Sequence, residues 1–345
     1  MKKLFGTDGM RGKAGQFPLD KDTVFVAGAS LARHCEADLG RKPVIVIGRD
    51  TRESGSWLEE ALQSGAATEG AQCFSAGVIP TPGVAYLARI LPADAGVVIS
   101  ASHNEYKDNG IKIFSPTGKK IDEGTERLIE SDIYAAASSQ PRPQPTCRKT
   151  DDTTANELQE QYLNFLQHEI GEDLFLNNLT MVVDCANGAA SVLAPKLFKR
   201  LGANVIAINN APDGQNINRD CGSLHIEGLQ KVVVSEKADF GVAYDGDADR
   251  SLFVDSRGSF VDGDATMWVM AKHLQERGEL TDSTVVATVM SNIGLEIALR
   301  SRGLKLVRTD VGDKYVLEEL LRINGTIGGE QSGHIIFPQI SLAGD

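Results

Sequence analysis

The sequence lacks any long hydrophobic run, and this limits where the protein can act. No stretch of its 345 residues approaches the roughly 18 consecutive apolar residues that a membrane-spanning helix needs. The first residues, M-K-K-L-F, lead directly into G-T-D-G and form no apolar signal-peptide core. We therefore predict a cytoplasmic protein that does not bind membranes.

Cysteine is scarce, and its spacing argues against two kinds of stabilising site. The chain has five cysteines, an odd number, and no two of them form a C-x-x-C pair. Disulfide frameworks use an even number of cysteines, and structural zinc sites usually contain such pairs. We therefore predict reduced thiols at Cys35, Cys73, Cys147, Cys185 and Cys221.

Positive charge is also in short supply. The chain has 35 Lys and Arg residues against 47 Asp and Glu residues, which gives a net charge of −12. A nucleic-acid backbone requires a basic protein face, so this balance predicts no nucleic-acid partner. An anionic ligand would have to be bound by cationic side chains gathered at one place.

The sequence does contain a repeated pattern of strand, polar turn, amphipathic helix and second strand. Three copies begin near residues 43, 179 and 283. In each copy a glycine follows the helix, where it can adopt the left-handed conformation of a helix end. The predicted apolar stripes contain Trp57, Leu58, Ala61, Leu62 and Gly65 in the first helix and Val192, Leu193, Leu197 and Leu201 in the second. The helix-ending glycines are Gly70, Gly202 and Gly303.

Continuous apolar strands joined by helices predict an α/β fold in which a mixed, mainly parallel sheet lies between helices. A linker with three prolines at residues 135–152 favours separate domains over one large sheet. A predicted hairpin, S-L-F-V-D-S-R-G-S-F-V, marks a second boundary. We therefore predict three consecutive domains, at residues 1–145, 151–254 and 255–345.

Three carboxylates follow the apolar run F-G-V-A-Y at alternate positions. Asp245, Asp247 and Asp249 lie in D-G-D-A-D-R, and in an extended loop this spacing would point all three the same way. Such a cluster repels itself unless a cation lies within it, and oxygen ligands favour Mg²⁺. The alternative is a solvated acidic turn. An EF-hand is excluded because Arg250 and Ser256 stand where that loop requires Gly and Glu.

A second polar segment follows the apolar strand near residue 96, in the sequence S-A-S-H-N. Its Ser102 could be a nucleophile, a phosphate carrier or only a turn residue. No G-x-S-x-G motif surrounds Ser102, so a hydrolase of the nucleophile-elbow type is not indicated.

Further glycine-rich charged loops occur along the chain, in F-G-T-D-G-M-R-G, I-G-R-D-T-R-E-S-G, V-G-D-K-Y and G-G-E-Q-S-G-H. Taken along the chain together with S-A-S-H-N and D-G-D-A-D-R, these loops follow the order of the α-D-phosphohexomutase family, which the sequence resembles. The resemblance covers the whole chain. Within the family, the first and last of these loops look most like those of phosphoglucosamine mutases.

The resemblance implies a role for each matching residue. Ser102 would carry a phosphoryl group and, with the three aspartates, bind one Mg²⁺ ion. Lys112 and His334 would handle protons or compensate charge, Arg11 and Arg250 would stabilise the phosphoryl group, and His103 would position the serine loop. The sugar phosphate would contact Arg250, Glu330, Ser332 and Lys314.

Structural roles remain as alternatives for several of these residues. Lys112 alternates with isoleucines and could face solvent, and His334 could only stabilise its loop. Asp8 and Lys314 could stabilise their own turns. Arg49 and Arg52 could simply flank a helix start.

The implied reaction interconverts glucosamine 6-phosphate and glucosamine 1-phosphate through phosphoserine and glucosamine 1,6-bisphosphate, and it would feed UDP-N-acetylglucosamine and cell-wall precursor synthesis. Alternatives are a phosphomannomutase or phosphoglucomutase, a metal-dependent phosphatase with an aspartate nucleophile, and an inactive sugar-phosphate binder. The family's fourth, phosphate-binding domain has no match before the chain ends at S-L-A-G-D. We therefore expect weak or absent turnover with metal binding retained, and a homodimer is one candidate assembly.

Overall fold

The computed structural model describes residues 3–6, 8–137 and 152–344. Most of the predicted linker and the end of the predicted first domain lie outside these residues, as does Cys147. No disulfide is formed by the four cysteines that are described, Cys35, Cys73, Cys185 and Cys221. No helix in the described part of the chain is both long and apolar enough to cross a membrane.

The first region contains a six-stranded sheet and four helices. Its strands are β1 (Phe5–Gly6), β2 (Gly9–Lys13), β3 (Val44–Arg49), β4 (Gln72–Val78), β5 (Ala95–Ile99) and β6 (Asp108–Phe114). Its helices are α1 (Lys21–Leu39), α2 (Gly55–Thr68), α3 (Thr81–Ile90) and α4 (Glu123–Ala137). Helix α5 (Asp152–Phe165) follows and continues into a π-helical turn at Leu166–Ile170.

The second region contains a five-stranded sheet and the third a four-stranded sheet. The second comprises β7 (Thr180–Asp184), α6 (Ala190–Arg200), β8 (Asn204–Ile208), a 3₁₀ turn at Gly222–Leu224, α7 (Glu227–Ser235), β9 (Phe240–Tyr244), β10 (Ser251–Asp255) and β11 (Phe260–Val261). The third comprises α8 (Gly263–Arg277), a 3₁₀ turn at Thr281–Ser283, β12 (Thr284–Thr288), α9 (Ile293–Ser301), β13 (Lys305–Thr309), α10 (Asp313–Ile323), β14 (Gly328–Gly329) and β15 (Ile335–Ile336).

All three sheets contain the same parallel unit of three strands. The strand orders are β4-β3-β5, β8-β7-β9 and β13-β12-β14, and in each the first strand along the chain lies in the middle. The three predicted strand–helix–strand repeats are therefore confirmed. Antiparallel strands extend one edge of every unit, so the predicted mixed sheets are also confirmed. In the first sheet the antiparallel pairings outnumber the parallel ones.

The apolar central strands are buried on both faces. Alternate residues of β3 enter different cores: Ile45 and Ile47 pack into one cluster and Val46 into another. The same alternation occurs in β7 and in β12. Because side chains alternate across a strand, helices must cover both faces of each sheet, which explains the continuous apolar sequence of these strands.

The predicted helix-ending glycines have the expected conformation, whereas the predicted apolar stripe of α6 is wrong at one residue. Gly70, Gly202 and Gly303 all have left-handed φ angles, of 82°, 94° and 73°. Val192, however, is 68% exposed, while Leu193 is buried. Neighbouring residues on a helix lie about 100° apart, so Leu193 and Leu197 can face the core only if Val192 turns away.

One loop in each sheet has the same topological position. It joins the third parallel strand to the antiparallel strand beside it, and it follows β5, β9 and β14 in the three regions. These loops contain Ser102, the three aspartates, and Glu330 with His334, respectively. The predicted hairpin is β10–β11, which extends the second sheet to Val261, beyond residue 254 where we placed the domain boundary.

Helices α1 and α2 are in close contact through glycine, and this contact makes a testable prediction. A Cβ atom on Gly65 would overlap the carbonyl oxygen of Phe25. We expect Gly65→Ala to lower the free energy of unfolding by about 1–3 kcal/mol, because the two helices must separate. Scanning calorimetry of the variant measures this. Gly228→Ala in α7 is the control, since a Cβ there meets nothing within 4 Å. Equal effects of the two substitutions would contradict the prediction.

Candidate active site

Ser102 lies three residues beyond the end of β5 and is almost completely buried, with 1% of its surface exposed. Its φ angle is 51°, in the left-handed region that serine rarely adopts. Its Oγ atom lies 2.9 Å from Arg11 Nη2, 3.0 Å from Lys112 Nζ and 3.3 Å from Asp247 Oδ2. The hydroxyl from the first region therefore meets the aspartate loop of the second.

The aspartate loop is a turn, so the predicted extended conformation is wrong. The amide of Ala248 donates to the carbonyl oxygen of Asp245 at 3.1 Å, and Ala248 has a φ angle of 54°. The carboxylates converge all the same: Asp245, Asp247 and Asp249 are buried, and each offers an oxygen within 4.8 Å of the others. The turn reverses the chain direction between Asp245 and Asp249, and this brings the three side chains together.

The orientation of these carboxylates leaves oxygen atoms without hydrogen bonds. Both carboxylate oxygens of Asp245 and the Oδ1 atoms of Asp247 and Asp249 are buried and have no such partner among the described residues. Burial, reinforced by the charges of Asp249 and Asp247, raises the pKa of Asp245 well above its usual value. A buried anionic site with free oxygens fits a hard divalent cation.

Lys112 compensates the opposite side of the cluster. It is 1% exposed, which rules out the alternative that it faces solvent. Its Nζ atom lies 2.8 Å from Asp247 Oδ2, 3.1 Å from Asp249 Oδ2 and 3.1 Å from Asp8 Oδ2. Burial alone would lower the pKa of Lys112, but these three carboxylates outweigh it and raise the pKa well above its usual value. The side chain therefore stays a cation beside the Ser102 hydroxyl.

Arg11 and Asp8 connect the Ser102 loop to the third region. Arg11 also donates to the carbonyl oxygen of Ala101 at 3.3 Å and pairs with Asp8. Asp8 does more than stabilise its own turn, since its Oδ1 atom lies 2.6 Å from Lys120 Nζ. Lys120 in turn lies 2.6 Å from Asp313 Oδ2. Sequence reasoning did not single out Lys120, because its role depends on side chains that are distant in sequence.

His334 and Arg250 both approach Asp249. His334 is buried, with its Nδ1 atom 3.7 Å from Asp249 Oδ1 and its Nε2 atom 3.9 Å from Asp313 Oδ2. Burial alone would lower the pKa of His334, but Asp249 and then Asp313 raise it. Arg250 Nε lies 3.9 Å from Asp249 Oδ1. Burial is likewise opposed at Arg250, where the charges of Asp249, Asp245 and Glu330 raise the pKa.

His103 belongs to the same loop as Ser102, and its side chain is partly buried. Its Nδ1 atom is buried without a hydrogen-bond partner among the described residues. Burial, together with the charges of Arg250 and Arg11, lowers the pKa of His103. A hydrogen bond by which this ring would position the serine loop is therefore not present at Nδ1, and the role of His103 stays a prediction.

Three of the residues predicted to contact the sugar phosphate lie in the third region: Glu330, Ser332 and Lys314. Glu330 Oε1 accepts a hydrogen bond from the amide of Gly312 at 3.2 Å, and Ser332 is partly buried in the same loop. Lys314 crosses to the first region, where its Nζ atom lies 3.1 Å from Glu123 Oε1. Lys314 also lines a cavity of about 620 Å³, together with Asp249, Asp313 and His334.

Two residues that the sequence did not identify hold the aspartate loop and the loop of Ser102. Thr81, at the start of α3, donates its amide to the carbonyl oxygen of Asp247 at 2.9 Å and its hydroxyl to Asp247 Oδ2 at 2.5 Å. Asn218 donates to the carbonyl oxygen of Ser102 at 2.9 Å. Arg52 does the same at 2.9 Å and is wholly buried, so flanking the helix start is not its only role. Arg49 pairs with Glu59 at 3.0 Å.

Known proteins similar to this chain belong to one family. Family models for phosphoglucomutase/phosphomannomutase α/β/α domains I, II and III match residues 2–140, 160–258 and 262–345, respectively. A phosphoglucosamine mutase from Solibacter usitatus is 50% identical over 344 residues, which cover 100% of this chain and 76% of that protein. One from Symbiobacterium thermophilum is 47% identical, with 100% and 76% covered.

Solved structures share the fold. A phosphoglucomutase/phosphomannomutase family protein from Burkholderia thailandensis has a TM-score of 0.81 at 25% identity, covering 99% of this chain and 74% of that one. An Aspergillus fumigatus N-acetylphosphoglucosamine mutase, solved with GlcNAc-6P and magnesium, has a TM-score of 0.59 at 19% identity, covering 97% and 68%. The matched chains extend beyond the length spanned here.

The free oxygens of Asp245 predict opposite effects of one substitution with and without metal. In EDTA, Asp245→Asn should raise the melting temperature, because it removes a buried charge that repels Asp247 and Asp249. Wild-type protein should gain about 2.7 kcal/mol of stability when Mg²⁺ is present at about a hundredfold its Kd, and the variant should gain much less.

Thermal unfolding with EDTA and with Mg²⁺ measures both effects. Asp255→Asn is a control, because this partly exposed carboxylate belongs to the same region, at the end of β10. An unchanged response of Asp245→Asn to Mg²⁺ would show that the carboxylate cluster does not bind the cation.

Proposed function

This chain belongs to the phosphoglucomutase/phosphomannomutase family, and we propose that it interconverts glucosamine 6-phosphate and glucosamine 1-phosphate by phosphoryl transfer. One observation carries the proposal: the buried Ser102 hydroxyl lies between two cations and the carboxylate of Asp247. The relatives named phosphoglucosamine mutase, at 47–50% identity over the whole chain, support the choice of glucosamine.

The carboxylate cluster fits one Mg²⁺ ion. Asp245, Asp247 and Asp249 would hold it through their buried oxygens, and a phosphoryl group on Ser102 would complete the ligand set. The bound ion would neutralise negative charge on the phosphoryl group. Lys112 need not be displaced, because it contacts the Oδ2 atoms of Asp247 and Asp249, whereas their Oδ1 atoms accept no hydrogen bond among the described residues.

The first chemical step moves the phosphoryl group from Ser102 to the sugar. The bond between Ser102 Oγ and phosphorus breaks, and a bond from phosphorus to the free sugar hydroxyl forms. Lys112 and Arg11, at 3.0 and 2.9 Å from Oγ, stabilise the charge that develops on the serine oxygen, and Lys112 can supply its proton. His334, held by two carboxylates, takes the proton of the attacking hydroxyl.

In the second step the bond between the other sugar oxygen and its phosphorus breaks, a bond from that phosphorus to Ser102 Oγ forms, and the sugar oxygen takes up a proton. Glucosamine 1,6-bisphosphate turns in the cleft, and its other phosphoryl group returns to Ser102, which releases the isomeric monophosphate. Arg250 would stabilise the phosphoryl group during transfer, Lys314 would contact the sugar phosphate, and Glu330 and Ser332 would bind sugar hydroxyls. Glu330 supports this role because its charge reaches Arg250 beside the aspartate loop.

Phosphorylation of Ser102 is the direct test of this reaction. After incubation with glucosamine 1,6-bisphosphate and Mg²⁺, the protein should gain an adduct of about 80 Da that maps to Ser102 by intact mass and peptide analysis. Ser102→Ala should gain none, whereas Ser115→Ala, in the same region, should behave like the wild type. A phosphoryl group on any other residue, or inorganic phosphate released by Ser102→Ala, would support the aspartate-nucleophile phosphatase instead.

The choice of sugar makes a separate prediction. Protein labelled on Ser102 should transfer its phosphoryl group to glucosamine 6-phosphate at least about tenfold faster than to glucose 6-phosphate or mannose 6-phosphate, because polar groups left unpaired discriminate strongly. Single-turnover transfer measures this without requiring a full catalytic cycle. Faster transfer to glucose or mannose phosphates would reassign the chain to phosphoglucomutase or phosphomannomutase activity. No transfer to any sugar would indicate a binder.

A further inference from the structure

Two side chains, Arg52 of the first region and Asn218 of the second, bind the backbone of the Ser102 loop through its carbonyl oxygens. The carbonyl oxygen of Ser102 accepts hydrogen bonds from Arg52 Nη2 at 2.9 Å and from Asn218 Nδ2 at 2.9 Å. The carbonyl oxygen of Asn104 accepts from the same two groups, at 2.8 and 3.1 Å. Two carbonyl oxygens of the loop therefore share the same pair of donors.

Arg52 devotes all its hydrogen-bonding capacity to this region. A guanidinium has five N–H donors, and none of its side-chain surface is exposed here. Besides the two bonds above, Nη1 donates to the carbonyl oxygens of Asp108, at 3.0 Å, and of Glu105. The fifth donor, Nε, lies 2.8 Å from Asp50 Oδ2. Asp50 compensates the buried charge, and the other four donors all bind carbonyl oxygens of residues 102–108.

Asn218 supplies the matching contact from the second region. It is buried, has a left-handed φ angle of 57°, and uses both hydrogens of its amide on the Ser102 loop. Gly246 of the aspartate loop lies against the same point: a Cβ there would overlap the carbonyl oxygen of Ser102. The Ser102 carbonyl is thus a second point of contact between the two loops, besides the hydroxyl of Ser102 and Asp247.

Holding the carbonyl determines where the hydroxyl points. Ser102 has a φ angle that costs on the order of 1–3 kcal/mol for a residue other than glycine, so it needs external support. We propose that Arg52 and Asn218 are positioning residues: by fixing the carbonyl side of the loop, they aim Ser102 Oγ at Asp247 and Lys112. This inference rests on the proposed phosphoryl transfer through Ser102.

The test uses Asn218→Gly, because glycine removes the amide without straining the left-handed backbone. Asn187→Gly is a matched control. Asn187 is also buried in the second region and has a φ angle of 49°. Among the described residues its side-chain amide has hydrogen bonds only within that region, and its bond to Thr51 of the first region uses the backbone carbonyl, which glycine keeps. Arg52→Lys keeps the charge and loses the fork, and Arg52→Ala can be supplemented with millimolar guanidinium.

Two measurements are made on the full chain. The first is the rate of phosphoryl uptake by Ser102 from glucosamine 1,6-bisphosphate, resolved into a maximal rate and a half-saturating concentration. The second is hydrogen exchange of the amides at residues 100–106, without ligand. Asn218→Gly and Arg52→Lys should lower the maximal rate by about 10- to 100-fold with half-saturation within about twofold, and should speed exchange in the loop. Guanidinium should restore part of the rate of Arg52→Ala.

The outcomes separate this inference from the proposed function. Uptake and loop exchange at wild-type rates in Asn218→Gly and Arg52→Lys would overturn the inference, as would equal losses in Asn187→Gly. If Arg52→Ala does not fold, the Asn218→Gly comparison still decides. If wild-type Ser102 takes up no phosphoryl group but exchange accelerates in the two variants alone, the positioning contacts are supported and the proposed reaction is overturned.

Discussion

Burying several carboxylates around one hydroxyl is possible only if cations lie among them, and this requirement shapes the centre of the protein. Lys112 Nζ lies within 3.1 Å of oxygens from Asp8, Asp247 and Asp249. Each of these charges would be unfavourable alone in the interior. Lys112 and Asp8 both belong to the first region, whereas Asp247 and Asp249 belong to the second. Part of the electrostatic balance therefore crosses the interface between these two regions.

The mixed sheet of the first region explains how cationic side chains are placed beside the Ser102 loop. A purely parallel sheet presents only loops at its carboxyl edge. Here the antiparallel strand β6 pairs with β5, with Lys112 opposite Val98, and β2 pairs with β6, with Arg11 opposite Gly110. Two strand residues thus place cations next to the loop that follows β5. The equivalent loops of the other two sheets carry the aspartates and Glu330, so a single topology is used three times for different chemistry.

The sequence could predict features that depend on local periodicity. The three repeats follow from apolar strands and helical spacing, and the aspartates and Ser102 stand out because they end apolar strands. Lys112 was ambiguous, since alternation with isoleucines tells which face a residue occupies but not what covers that face. Arg52 stood out only as part of a glycine-rich charged loop, and Asn218 gave no local signal, because their partners are backbone carbonyls that lie 50 and 116 positions away.

The contacts between regions differ in kind, and this difference bears on which parts of the site can move. The first and second regions meet through buried backbone groups, as in the Thr81 amide on Asp247. The first and third meet across the 620 Å³ cavity through charged side chains, in the pairs Lys120–Asp313 and Lys314–Glu123. Partly exposed ion pairs are weak and exchange readily with a charged solute, whereas buried backbone hydrogen bonds do not. We therefore expect any rearrangement of the third region against the first to leave the mutual geometry of Ser102 and the aspartates unchanged.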